Sequence, residues 1–122
     1  MPPLIGVDWH TTTTTAAFGV RFRFGVAVFQ NQMWVIAGSN LAANLADVWH
    51  SADGATWTAA TGNGGFQGGP QRCVASFGGA LWTVPSDKSA WSSPDGVTWT
   101  KQLAALPYTG GGDYCAVFNS QI

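Results

Sequence analysis

The sequence reads WHSADGATWT at residues 49–58 and WSSPDGVTWT at residues 91–100. Each copy places an Asp-Gly pair between two runs of β-prone residues, which predicts two strands joined by a tight hairpin turn. A type I′ turn requires positive φ at both central residues, and Asp-Gly satisfies that requirement. The Ser and Asp side chains of such a turn can accept hydrogen bonds from its backbone amides. We assign the structural turns to Ser51, Asp53, Gly54 and Trp57 in the first copy, and to Ser93, Asp95, Gly96 and Trp99 in the second.

Aromatic residues extend this repeat over most of the chain. Trp9 and Trp57 are 48 residues apart, and Trp34 and Trp82 have the same spacing. A period of this size among β-prone residues is typical of a β-propeller, in which each repeat forms a four-stranded blade. We expect the aromatic residues at matched positions to pack between sheets rather than to stack on sugars. The predicted strands are 22–29, 33–38, 47–51 and 55–60 in blade 1 (22–60), and 72–77, 80–85, 89–93 and 97–102 in blade 2 (71–102).

The two ends of the chain match parts of further blades. Residues 5–12 match the last part of the hairpin unit and predict the outer strand of a preceding blade. Residues 112–122 match the start of the repeat and predict the inner strand of a following blade. Trp34 and Trp49 are 15 residues apart, whereas Trp82 and Trp91 are nine apart, and we assign the six extra residues to a longer loop within residues 39–46. The predicted fold is all-β: residues 1–122 form a single partial β-propeller, a fragment of about two blades with one flanking strand at each end.

Length and composition exclude several classes of protein. The 122 residues suit one domain, and only 9% of them are charged, with a formal net charge of −1. The five basic residues are scattered, so we expect neither a nucleic-acid nor a membrane partner. No apolar run approaches the roughly 20 residues of a membrane span. Cys73 and Cys115 are too few for a disulfide framework or a metal cluster, and we expect two buried thiols.

Two short motifs resemble those of known propeller families. Residues 51–57 (SADGATW) and 93–99 (SPDGVTW) resemble the Asp box of sialidase-like propellers. Residues 34–38 (WVIAG) and 47–49 (DVW) resemble the second and third strands of a kelch repeat. The resemblance implies a kelch-type or Asp-box β-propeller and covers nearly the whole chain. It implies little about function, because propellers host unrelated activities.

The residues for sialidase chemistry are incomplete in this sequence. A sialidase resemblance implies an arginine cluster, a tyrosine nucleophile with a glutamate partner, and an acidic aspartate. The chain has Arg21, Arg23 and Arg72 but no glutamate. Glycosidases generally need two carboxylates that flank one bond, whereas Asp53 and Asp95 occupy equal positions in neighbouring repeats. We therefore expect these aspartates to hold turns, and we assign no catalytic residue.

The sequence also predicts no cofactor and no metal site. His10 and His50 lie beside tryptophans on predicted outer strands, and no third ligand is spaced to join them. The glycine-rich segments at residues 62–65 and 110–112 lack the lysine and the strand-to-helix context of a phosphate-binding loop.

The favoured functional hypothesis is a non-catalytic binding or scaffold module. Its ligand, a carbohydrate or a protein, would bind at the blade-connecting loops, where binding residues concentrate. The candidate ligand-facing residues are Arg23 and Arg72, at the starts of inner strands, and Asn63 and Gln67, in the loop between the blades. One alternative is a fragment of a sialidase-like glycoside hydrolase whose catalytic residues lie outside this chain. Another is a partial propeller that self-associates through exposed blade faces.

Overall fold

The computed structural model describes residues 9–107 and Cys115. This part of the chain forms eight β-strands. No helix within it is long and apolar enough to cross a membrane. The strands are β1 (Gly25–Phe29), β2 (Gln32–Ser39), β3 (Asn44–Ser51), β4 (Thr58–Thr61), β5 (Gln71–Phe77), β6 (Ala80–Pro85), β7 (Ala90–Ser93) and β8 (Thr100–Leu103).

The strands form two antiparallel sheets that follow chain order. The first sheet, β1-β2-β3-β4, is blade 1, and the second, β5-β6-β7-β8, is blade 2. Within each sheet, every strand pairs with the next one through a hairpin connection, and the first strands of the two sheets, β1 and β5, pack against each other. The all-β prediction of two four-stranded antiparallel blades is confirmed.

Two-residue turns with positive φ occur in the blades, but not at the Asp-Gly pairs. Between β1 and β2, both Gln30 (φ 52°) and Asn31 (φ 57°) have positive φ, as a type I′ turn requires. The pair Gly78-Gly79 does the same between β5 and β6. At each Asp-Gly pair, in contrast, only the glycine has positive φ. The type I′ prediction was therefore wrong there: six residues separate β3 from β4 and β7 from β8, so the outer strands begin at Thr58 and Thr100.

The extra residues of blade 1 lengthen a hairpin rather than a loop. β2 continues to Ser39 and β3 begins at Asn44, which pairs with Ser39. The pairing register shifts between Ile36 and Gly38, where Ala37 (φ 58°) and Gly38 (φ 102°) form a bulge. The predicted long loop at residues 39–46 is thus reduced to four residues, because the backbone beyond the bulge continues to pair.

The main hydrophobic core lies between the two blades. Ile36 of β2 and Leu81 of β6 are fully buried in it, together with Trp34 of blade 1. Phe66 comes from the connection between the blades, and its ring packs edge-on against Trp99 with centroids 5.2 Å apart. The connecting segment therefore fills the space between the sheets.

The predicted flanking strands lie largely outside the described residues. Of residues 5–12, only 9–12 are described; they form no strand, and Trp9 is 86% exposed. Of residues 112–122, only Cys115 is described.

Cys73 and Cys115 form a disulfide, so the expectation of two buried thiols was wrong. Their Cα atoms are 5.3 Å apart. Gly25 of β1 lies against Val74 of β5, since a Cβ at Gly25 would be 2.0 Å from Val74 Cγ2. When the repeats are aligned on their phenylalanines, Cys73 takes the position of Gly25, and Cys115 takes the position of Val74. The bond therefore forms at the repeat position where the first strands of successive blades approach each other.

Candidate functional site

The side chains of the first Asp-Gly turn bind the turn's own backbone. Ser51 Oγ accepts hydrogen bonds from the amides of Asp53 (3.3 Å) and Gly54 (2.8 Å). Asp53 Oδ1 accepts from the amides of Ala55 (2.9 Å) and Thr56 (2.8 Å). These bonds satisfy four consecutive backbone donors, which explains why the loop holds its shape although it is longer than a two-residue turn.

The second turn repeats this arrangement in blade 2. Ser93 Oγ accepts from the amide of Gly96 at 2.8 Å. Asp95 Oδ1 accepts from the amides of Val97 (2.8 Å) and Thr98 (2.9 Å). The tryptophans that follow close both turns: Trp57 Nε1 donates to the Gly54 carbonyl at 2.9 Å, and Trp99 Nε1 donates to the Gly96 carbonyl at 3.0 Å.

The two turn carboxylates have lowered pKa values. The backbone amides of Thr56 and Ala55 hold the pKa of Asp53 below its usual value. The amides of Thr98 and Val97 do the same for the pKa of Asp95. Both groups are therefore ionised at neutral pH, and Oδ1 of each accepts two backbone hydrogen bonds. This geometry suits turn formation and does not suit proton donation to a substrate.

These lowered pKa values predict an acid-dependent stability. A carboxyl group with a folded-state pKa below its unfolded value stabilises the fold above the unfolded pKa, near 3.8 here. That stabilisation is lost as the pH falls through the folded-state pKa. We expect the urea midpoint to be nearly constant from about pH 5 to 7 and to fall below about pH 4. A D53N/D95N double variant should show a shallower decrease, and an unchanged decrease would contradict this assignment.

A buried ion pair joins the segment before β1 to blade 1. The Arg21 side chain is only 2% exposed, and its guanidinium contacts both carboxylate oxygens of Asp47, at 2.7 and 3.1 Å. Arg21 also donates to the carbonyls of Ala37, at 2.9 Å, and of Phe18. Sequence analysis missed this pair, because its partners are 26 residues apart and follow no motif spacing.

Asp47 also accepts a hydrogen bond from Trp49 Nε1 at 2.7 Å. Burial tends to raise the pKa of Asp47, but the hydrogen bonds from Arg21 and Trp49 and the charge of Arg21 outweigh it and lower the pKa. In blade 2, Trp91 Nε1 instead donates to Ser89 Oγ at 2.8 Å. The ion pair is thus specific to blade 1, where it fixes the chain at the β2 bulge.

The loop residues expected to face a ligand, Asn63 and Gln67, are exposed, and each also contacts a loop. Asn63 Oδ1 accepts from the amide of Gly65 at 2.8 Å. Gln67 Oε1 accepts from the amide of Asp87 at 2.8 Å, which links the inter-blade loop to the β6–β7 connection. Both side chains therefore have a structural contact in addition to their exposed surface.

The two candidate arginines occupy different surroundings. Arg23 is exposed and has positive φ (56°), and its carbonyl accepts from the amide of Gln71 at 3.3 Å. Arg72 is half-buried, and its Nε donates to the Ser86 carbonyl at 3.3 Å. The structure therefore places both residues near the starts of β1 and β5, as the repeat predicts, and Arg72 lines a pocket of which Arg23 is not part.

This pocket lies between the first strands of the two blades and has a volume of about 180 Å³. Gln71 stands in its wall with its side chain fixed, because Nε2 donates to the Gly69 carbonyl (2.9 Å) and Oε1 accepts from Thr83 Oγ1 (2.6 Å). The wall thus combines an arginine, a glutamine and mostly apolar residues. The lining residues are Phe24, Gly25, Val26, Gln71, Arg72, Cys73, Val74 and Cys115.

His50 contacts side chains of β2 in blade 1. His50 stacks on Trp34, with ring centroids 4.9 Å apart, and its Nδ1 contacts Gln32 Oε1. Within residues 9–107 and Cys115, no three His, Cys, Asp or Glu side chains are grouped so that they could hold a metal ion.

The chain belongs to the DUF6242 β-propeller domain family, whose model matches residues 6–108. This match and the two four-stranded antiparallel sheets establish the chain as part of a β-propeller. No curated protein gives a significant match to the sequence.

Proposed function

We propose that this part of the propeller is a non-catalytic binding module whose ligand is a protein, bound at the pocket beside Arg72. The observation that carries the proposal is the position of Arg72 in a pocket between the first strands of two blades. Arg72 thus lies in the wall of a concave site whose other lining residues are mostly apolar. Such a site suits a carboxylate on an aliphatic stem.

The size of the pocket favours one inserted side chain over a sugar. Its volume of about 180 Å³ is below the roughly 300–1,000 Å³ typical of small-molecule sites. A glutamate side chain or a chain-terminal carboxylate fits this volume and can be oriented by Arg72. Phe24 and Val26, exposed by 39% and 60%, lie on the surrounding surface, and aromatic residues such as Phe24 are enriched in protein interfaces.

The turn aspartates support a non-catalytic role. Asp53 and Asp95 belong to different blades, and each carboxylate accepts two backbone amide hydrogen bonds. A glycoside hydrolase needs two carboxyl groups on opposite sides of one bond, within about 10 Å of each other and open to the substrate. The bonding pattern of both turns corresponds instead to an Asp-box-type structural turn, and we propose that role for them.

The binding proposal can be tested by NMR titration of the 122-residue chain. Two probes are used: N-acetylglutamate amide, which carries one side-chain carboxylate, and galactose, which carries none. We expect the glutamate probe to shift the Arg72 side-chain and Val74 amide resonances, with millimolar affinity that is lost in R72Q. Arg23→Gln is the matched control, since it removes an exposed arginine outside the pocket, and it should leave the titration unchanged.

Three results would count against the proposal. No shift with the glutamate probe would reject the Arg72 site. Equal loss of binding in R23Q and R72Q would show that net charge, not the pocket, causes the response. Shifts with galactose alone would replace the protein ligand with a carbohydrate.

A further inference from the structure

The Cys73–Cys115 disulfide forms part of the wall of the pocket beside Arg72. Both of its cysteines line this pocket. The other lining residues lie at positions 24–26 and 71–74, whereas Cys115 comes from 41 residues beyond Val74. Its Sγ atom is 4.0 Å from the Val74 carbonyl oxygen. The disulfide therefore fixes a distant part of the chain in the pocket wall.

The two ends of the disulfide differ in exposure. Cys73 is 9% exposed and packs in a small apolar cluster with Val84, Ala90 and Leu106. Cys115, in contrast, is exposed. Thiol–disulfide exchange depends on access of the attacking thiolate to a sulfur atom, so a reductant can reach this bond at Cys115.

The disulfide is separate from the core that joins the two blades. That core includes Trp34 and Phe66, and neither cysteine belongs to it. The first strands β1 and β5 also have a contact that involves no sulfur, because Ser76 Oγ donates to the Val28 carbonyl at 2.7 Å. Loss of the disulfide should therefore change the pocket wall and leave the two blades packed together.

We propose that the Cys73–Cys115 disulfide is a redox switch of this pocket: the bonded form fixes the wall for ligand binding, and reduction loosens it. The effect on binding rests on the function proposed above. In the bonded form Cys115 is held against β5 before the ligand arrives, and such preorganisation favours affinity. In the reduced form the covalent restraint is lost, so binding must also order the wall.

The reductant is a dithiol, either a small molecule or a protein with two neighbouring cysteines. One of its thiolates attacks Cys115 Sγ, which forms a mixed disulfide and releases Cys73 as a thiolate that takes up a proton. The second thiol of the reductant attacks the mixed disulfide and releases Cys115, which also becomes a thiol. The dithiol leaves as a disulfide, and its two electrons and two protons are transferred to the cysteines of the chain.

The experiment compares the oxidised 122-residue chain with the dithiothreitol-reduced chain by NMR. A thiol assay should give two thiols per chain after reduction. The Ala75 amide should shift, because its peptide group includes the Val74 carbonyl beside Cys115 Sγ. The indole N–H resonances of Trp34 and Trp99 should stay in place, since these groups are bonded to backbone carbonyls within the blades.

The same samples are then titrated with N-acetylglutamate amide. We expect the affinity for this probe to fall about tenfold on reduction and to recover on reoxidation, because ordering a loosened wall costs binding free energy. Cys115→Ser is the matched control, since it cannot form the disulfide. It should bind like the reduced wild-type chain, and dithiothreitol should not change its affinity.

The outcomes separate this proposal from the binding function. If the oxidised chain does not bind the probe, the binding function is rejected, and the Ala75 amide alone decides whether the wall responds to reduction. An Ala75 resonance that stays in place would overturn the switch. Loss of the indole resonances on reduction would do the same, because the disulfide would then stabilise the whole fold. Equal affinities of the oxidised and reduced chains, or a dithiothreitol effect in C115S, would also contradict it.

Discussion

Gly96→Ala is expected to lower the free energy of unfolding by about 2–5 kcal/mol, which is more than the loss expected for Gly54→Ala in the first Asp-Gly turn. Two effects add at this position. An L-residue in the left-handed region costs about 1–2 kcal/mol. The new methyl group would also be 2.1 Å from the Trp34 ring, and overpacking a filled core costs about 1–3 kcal/mol.

Gly54→Ala is the matched control for this substitution. Gly54 has the same φ of 78° and the same Ser and Asp hydrogen bonds around it, but its nearest neighbour is the mobile end of Met33. Only the conformational cost should remain, about 1–2 kcal/mol. Urea unfolding followed by tryptophan fluorescence, at concentrations where the chain is monomeric, measures both changes. Equal destabilisation of the two variants would show that the Trp34 ring does not pack closely against Gly96.

The repeat predicted most of the fold because blade strands are local elements. Hairpins form between residues that are close in sequence, so turn residues and β-propensity are enough to place them. The strand boundaries after the Asp-Gly pairs were wrong for a local reason too. Ser51 and Asp53 bind the next amides through their side chains, and these amides then cannot start a ladder with β3.

The bulge and the ion pair could not be predicted in this way. Ala37 has positive φ, which alanine rarely adopts, and it is retained because Arg21 binds its carbonyl while Asp47 holds the guanidinium. That arrangement depends on three segments meeting in space, and no one segment encodes it.

The disulfide and the pocket are intermediate cases. Aligning the repeats on Phe29, Phe77 and Phe118 puts Cys73 and Cys115 at adjacent positions of successive first strands. The alignment could therefore have predicted the disulfide, but two cysteines were taken as too few for a disulfide framework. The pocket beside Arg72 depends on how closely β1 and β5 approach, and that distance follows from packing rather than from pattern.

The second large effect is expected at the buried ion pair. Asp47→Asn keeps the shape of the side chain and an acceptor for Trp49, but it leaves the Arg21 charge without its counter-ion at a site that is 2% exposed. Removing one partner of a buried pair costs about 3–5 kcal/mol, because the remaining charge is desolvated without compensation. We expect a loss of this size in the free energy of unfolding by urea.

Two further variants separate the charge from the packing. Asp87→Asn, at an exposed carboxylate that binds the amide and hydroxyl of Ser89, should cost about 1 kcal/mol or less. The double variant R21M/D47N removes the isolated charge and should be more stable than D47N alone, since an apolar side chain of similar length suits the same buried site. If the free energy of unfolding falls no more in D47N than in D87N, the fold does not hold the Arg21 guanidinium in a buried position. If the double variant is instead the less stable one, the hydrogen bonds of Arg21 to the Ala37 and Phe18 carbonyls, rather than its charge pairing, hold the bulge in place.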